Sequence, residues 1–405
     1  MTTTAYPDRF VRDGDVTRTP NRPHGLHEAI RTAPAGEEIH VRGTVNGIEL
    51  AGPPGKSNSV HRDSPIDVKL TGLGGKDEGA IMRSAFMNDE GGGIDRLAIR
   101  DMNIAAWPTQ YPFASVQNPR PGKIVFRRCW MHGGGGKVKS FVRTYCHEVV
   151  GTQLRAEGAL EYLWYWTGSK ATIKDVAGRD LKRGIVQGAV RNTEGTHQNV
   201  KMTNLKLSPD DVCEISGVVA EDCGNHGSSA ISITGHPGTV RISGLDITSP
   251  WGTGAVYCRW NSKQNQQEPG HWKTARAIDF GKVNSDLRAQ NELVLDMRGS
   301  RVELPSTDRV PFFIDSTTSL TVASDSETVV ASPRPVMHLE MNGNGMVICP
   351  AGFPKAGQPV ADKSILNVAM SGTYEGWERT GWNSNQPFLR KNQPFDPSEF
   401  YSARG

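Results

Sequence analysis

The chain has 405 residues, of which 46 are basic and 43 acidic, for a formal charge of +3. That balance lacks the concentrated positive charge that duplex nucleic acid demands, and no stretch approaches the roughly 20 apolar residues of a membrane-spanning helix. Hydrophobic residues make up only 36% while Gly reaches 45 and Pro 25, which favours many short strands joined by turns over a helical bundle.

The first residues, Met1 to Phe10, lack the apolar core of a secretory signal, so the reading is of a protein made in a cytoplasm, with no signal peptide and no membrane insertion. Residues 1–24 are polar and read as an attachment or disordered segment. From Gly25 the pattern changes: Leu26, Ala29, Ile30 and Ala33 stand at i, i+3, i+4 and i+7, one face of a short helix that Pro34 and Gly36 end. The stretch from Glu38 to Val45 then alternates apolar and polar at the period of a strand. The six cysteines (Cys129, Cys146, Cys213, Cys223, Cys258 and Cys349) show no metal-ligand spacing and read as buried free thiols, so no cofactor and no metal is expected.

Beyond the first strand a degenerate pattern recurs: aliphatic, any, aliphatic, any, Asn/Asp/Gly/Arg, apolar, any, aliphatic. It reads Leu97-Ala98-Ile99-Arg100-Asp101-Met102-Asn103-Ile104 and returns from Ile124, Val200 and Val240, with looser copies from Ala171 and Val218. The steps between starts are 27, 47, 29, 18 and 22, one structural turn each except where 47 must hold two. A strand, a turn and two more short strands use about that many residues before the path lies on top of itself, one strand spacing of about 4.8 Å higher. Met102, Cys129, Val176, Leu205, Cys223 and Leu245 share one repeat position and are read as an inward ladder. A β-sandwich would show hairpin signals such as Asn-Gly between its strands, and the repeats lack them.

The helix feeding a first strand through Ala-Pro-Ala-Gly, followed by this repeat, resembles the pectate-lyase-like superfamily, and most of all its bacteriophage tailspikes. The resemblance implies an all-β chain: a right-handed parallel β-helix, or solenoid, with an N-terminal capping helix and a less regular C-terminal region. Residues 25–37 form the cap, 38–290 the solenoid, 291–370 either its continuation or a separate β domain, and 371–405 an extended tail. Strands are expected at residues 276–283, 293–304, 312–330, 336–349 and 365–370.

Residues eight to eleven places past each repeat start are expected on one face. They are Trp107, His132, Asp180, Asp210, Asp211, His226 and Trp251. Paired carboxyl groups suit glycoside hydrolysis, one protonating the leaving oxygen while the other attacks or activates water. Asp180, Asp210, Asp211 and His226 are therefore the catalytic candidates. Trp107, His132 and Trp251, with Trp164 and Trp166 of the aromatic run Tyr162 to Trp166, are candidates for stacking on or binding sugar, and Arg241 or Arg259 for pairing with a uronate carboxylate. The outward face of the aromatic run suits a sugar platform or a subunit interface equally. Asp210 and Asp211 follow Pro209, where a carboxylate can instead serve the backbone of a turn.

A local similarity to polygalacturonase-like hydrolases lies in Asn192-Thr193-Glu194-Gly195, Asp210-Asp211-Val212-Cys213, Asn225-His226-Gly227 and Arg241-Ile242-Ser243, in that family's order. The first acid is Glu where the family has Asp, the Cys is displaced by one, a glycine is replaced by Asn225, and the lysine is missing. Three functional readings follow. One is a homotrimeric virion protein of a phage tail that docks on other tail proteins through its N-terminal segment and binds, in one variant depolymerises, host surface polysaccharide. The others are a stand-alone hydrolase, lyase or epimerase of uronate-containing glycans, and a non-catalytic structural or receptor-binding solenoid.

Overall fold

A computed structural model of the chain describes most of residues 2–189, 210–259 and 292–341, together with 196–197, 200–201, 208, 344–348 and 367–368. Among the described residues the chain is all-β apart from two short helices, and its sheets are built almost wholly of parallel pairs. It divides into two compact units, Met1–Ala177 with Thr193–Lys206, and Gly178–Asn192 with Leu207–Gly405.

In the first unit, the helix Gly25–Thr32 forms where its apolar spacing predicts, and Leu26, Ala29 and Ile30 are fully buried. Glu37 N donates to Pro34 O at 3.1 Å, and Gly36 takes φ 78°, which closes the helix exit. The segment 1–24 is not featureless: Thr3–Ala5 pairs in parallel with Glu38–Val41, and Arg9–Arg12 and Asp15–Arg18 extend it as an antiparallel meander.

From Glu38 onward each pass of the chain lies beside the one before it. Ile39, Leu70, Ile99, Phe126 and Gly151 are successive partners in one column, each pair parallel, at steps of 31, 29, 27 and 25 residues. A second column runs Val45, Met82, Ile104, Met131 and Ala156. A second sheet of the same unit stacks Ala85, Phe113, Val142 and Trp164. The two sheets meet through aromatic side chains. Phe126 lies edge-on to Phe113 and to Trp164, with ring centroids 5.0 and 5.2 Å apart.

The fifth position of the repeat has a distinct physical role. Asp101, Arg128 and Asp175 all adopt left-handed backbone, with φ of 54°, 49° and 54°, and bend the chain between its first and second strand segments. Residue types that tolerate or can be held in this region are therefore what the pattern selects. Bend supports bend: Arg128 Nε and Nη2 each donate to the Asp101 carboxylate at 2.6 Å.

The second unit carries the same arrangement. Cys213, Val240, Leu293 and Leu320 form one column, and Ala220, Ile247, Val302 and Val330 another. A second sheet stacks Val186, Ile231, Val256, Phe312 and Met337. Parallel pairing thus runs to Met341 and then reverses, because Asn344–Ile348 pairs antiparallel with Met337–Met341 and with Asn367–Val368. Residues 276–283 and the tail 371–405 lie outside the described residues.

These registers bear out one repeat assignment and correct two. The 47-residue step does hold two turns, for Val149 pairs with Ile124 and Gln153 supplies the bend at φ 56°. In the second unit, the turn that matches Val240 begins at Cys213, not Val218, since Val218 opposes Leu245. The copy from Val218 is a shadow of a second bend, Asp222 at φ 51°, five residues after Gly217 at φ 61°. Val200–Lys201 pairs antiparallel with Thr196–His197 and starts no parallel turn.

Candidate functional site

Re-registering the turns redistributes the residues expected on one face. Asp180 is exposed, in left-handed backbone at φ 49°, and its Oδ1 accepts from Lys182 Nζ at 3.2 Å. It lies beside the far end of Val212–Glu221, where Gly224 N donates to Leu181 O at 2.8 Å. Asp210 and Asp211 stand immediately before the start of that strand. About ten residues of strand, each rising roughly 3.3 Å, therefore separate Asp180 from Asp210 and Asp211, whereas paired glycosidase carboxyl groups sit within about 5–9.5 Å. The structure does not bring these three together.

Asp211 is only 2% exposed, and its Oδ2 accepts from Ser208 N at 2.9 Å while its own N donates to Ser208 O at 3.1 Å. The exposed Asp210 receives the Ser208 hydroxyl as partner, so the two carboxylates build the turn that admits the strand. His132 is exposed, in register between Ala105 and Glu157. Arg241 is exposed, in register between Glu214 and Val294. Trp107, His226 and Trp251 lie outside the described residues.

The aromatic run departs most from its sequence pattern. All six residues of Tyr162–Thr167 are buried, including Trp164 at 0% and Trp166 at 2% exposure, so neither tryptophan offers an open ring to a sugar. Trp164 points into the unit, where its Nε1 donates to Thr144 Oγ1 at 2.8 Å. Alternation then sends Tyr165 and Thr167 to the opposite face, alongside Arg143 and Tyr145, their partners in register.

On that face Arg143 is 6% exposed, and the centre of its guanidinium lies 5.0 Å from the ring of Tyr111 and 5.4 Å from those of Tyr145 and Tyr165. These distances fall within the roughly 6 Å of a cation–π contact. Nη2 donates to the Tyr145 hydroxyl at 2.6 Å, but among the described residues the buried Nε has no hydrogen-bond partner, and neither has the buried hydroxyl of Thr167. Among the described residues no carboxylate forms an ion pair with Arg143, unlike Arg128 and Arg298, whose Nε and Nη2 both grip a carboxylate. Burial works against the charged form of Arg143, yet the phenol oxygens of Tyr145, Tyr111 and Tyr165 leave its pKa raised, so it is a cation. Burial likewise pushes up the phenol of Tyr111, the only partly buried wall.

No protein-family model, curated protein or solved structure matches this chain.

In the second unit, the backbone register sets Thr234, Arg259, Asp315 and Glu340 side by side on adjacent strands. The register slips immediately after Asp315, a backbone bulge. Arg259 was legible as a candidate from the sequence; Asp315 and Glu340 were not, because the repeat loosens beyond residue 250. Among the described residues no three His, Cys, Asp or Glu side chains converge as a metal site.

Proposed function

We propose that this chain is a right-handed parallel β-helix of the tailspike kind, capped by its N-terminal helix, that binds a cell-surface polysaccharide. The observation that carries the proposal is the column register: successive turns repeat one residue position at the strand spacing of about 4.8 Å, so polar side chains are presented in rows suited to an extended chain of sugar rings. The virion setting and threefold assembly belong to the same proposal.

A second reading, hydrolysis of the bound glycan, is favoured by Asp315 and Glu340, which are in register on neighbouring strands with Arg259 adjacent. Retaining glycosidases work with two carboxyl residues, and the backbone register puts two such residues on neighbouring strands. The test presents the full chain with a panel of bacterial surface polysaccharides, scoring retardation in affinity gels and release of reducing ends. Retardation by at least one polymer is expected, with reducing ends from wild type falling about 100-fold or more in Asp315→Asn and Glu340→Gln. Retardation without release removes the hydrolytic reading, and no retardation by any polymer removes the proposal.

A further inference from the structure

We infer that the Arg143 cage in the first unit is a binding site for the carboxylate of an acidic sugar, a uronic or sialic acid residue. The inference rests on the polysaccharide reading and names the class of sugar that such a site takes.

A guanidinium taken out of water costs several kcal/mol unless an anion or a full set of acceptors replaces its hydration. Three tyrosine faces and the phenol oxygens of Tyr145 and Tyr111 supply part of that replacement for Arg143. What they leave is specific. The Nε and Nη2 edge is the fork with which Arg128 and Arg298 hold a carboxylate in this same chain. At Arg143 one arm of the fork is taken by Tyr145 and the other is empty. The Thr167 hydroxyl, on the same face and in register with Tyr145, is a second buried donor without a partner.

A carboxylate oxygen accepting from Nε would fill the empty arm and supply the missing negative charge. The surroundings select the rest of the ligand. Tyr111, the one wall that is partly exposed, offers a ring of the sort that stacks on the C–H face of a pyranose, with a phenol hydroxyl for its ring oxygens. Tyr111 is the side of entry, being partly exposed where Tyr145 and Tyr165 are closed over at 1% and 6%.

The probes are galacturonate, glucuronate and N-acetylneuraminate, each compared with an uncharged parent sugar by saturation-transfer NMR and calorimetry on the full chain. At least one acid is expected to bind about tenfold or more tightly than its neutral parent. Arg143→Met, which fills the same space without charge, should abolish that preference while keeping the circular dichroism of the wild type. If Arg143→Met does not fold, Tyr111→Leu at the half-exposed wall serves instead, with acid binding expected to weaken several-fold. No preference for any acid, or a preference that survives in the folded variant, overturns the inference. Wild type that binds neutral polymer without acid preference overturns this inference alone. Binding of a sugar acid without any polymer overturns the polysaccharide reading alone, and binding of neither overturns both.

Discussion

Gly151 shows how one residue records the packing of several strands. It continues the column Ile39, Leu70, Ile99, Phe126, yet it has no side chain, because the Trp164 ring fills that place. A Cβ at Gly151 would stand 2.8 Å from Trp164 Cζ3, 3.1 Å from Leu154 and 3.2 Å from Ile173. Gly151→Ala is therefore expected to destabilise the protein by about 1–3 kcal/mol through overpacking, seen as a lower denaturant midpoint with an unchanged slope. The sequence around Trp164 showed alternation, which has two phases, and only the partner across the core decides which phase points inward. The same ambiguity hid Arg143: nothing near it in sequence marks it as buried, and its three tyrosines come from three separate strands or turns.

At the scale of the element, the unit of construction is a pair of short strands hinged at a left-handed residue. The repeat was legible because that hinge restricts residue type, as Asp101, Arg128, Asp175, Gly217 and Gly244 show. The register was less legible, since a second hinge five residues later produced the false start at Val218. Apolar inward positions include thiols, and Cys129, Cys146, Cys213 and Cys223 are free and buried, as their spacing led us to expect. Burial pushes the thiols of Cys129 and Cys223 up to about 12. Unfolded thiols titrate near the ordinary value of 9.0, so below that pH both states keep the proton. Between about 9 and 12 the unfolded chain releases protons that the folded chain retains, and stability falls as pH rises. Urea midpoints measured from pH 8 to 11 should decline, and the decline should be shallower in Cys129→Ala with Cys223→Ala.

At the scale of the molecule, each unit ends its parallel pairing with antiparallel strands. In the first unit the meander of residues 3–18 lies along the edge that Glu38–Val41 would otherwise leave open. In the second, the strands 344–348 and 367–368 follow the last parallel strand. An open edge is a template for another chain. Deleting residues 1–20 should therefore leave the far-ultraviolet spectrum strand-like but make the protein associate, as growth of scattered light with concentration. Scattering equal to that of the full chain would show that the meander is dispensable. By itself the sequence determined the class of structure, the opening helix, the kind of residue that stands at most hinges and the inward thiols, because each follows from local periodicity or backbone preference. The tertiary structure alone decided the register of the turns, the direction of the aromatic run and the neighbours of Arg143, Asp180 and Asp315. Those depend on which strands lie side by side, and residues tens of positions apart carry no local mark of being partners.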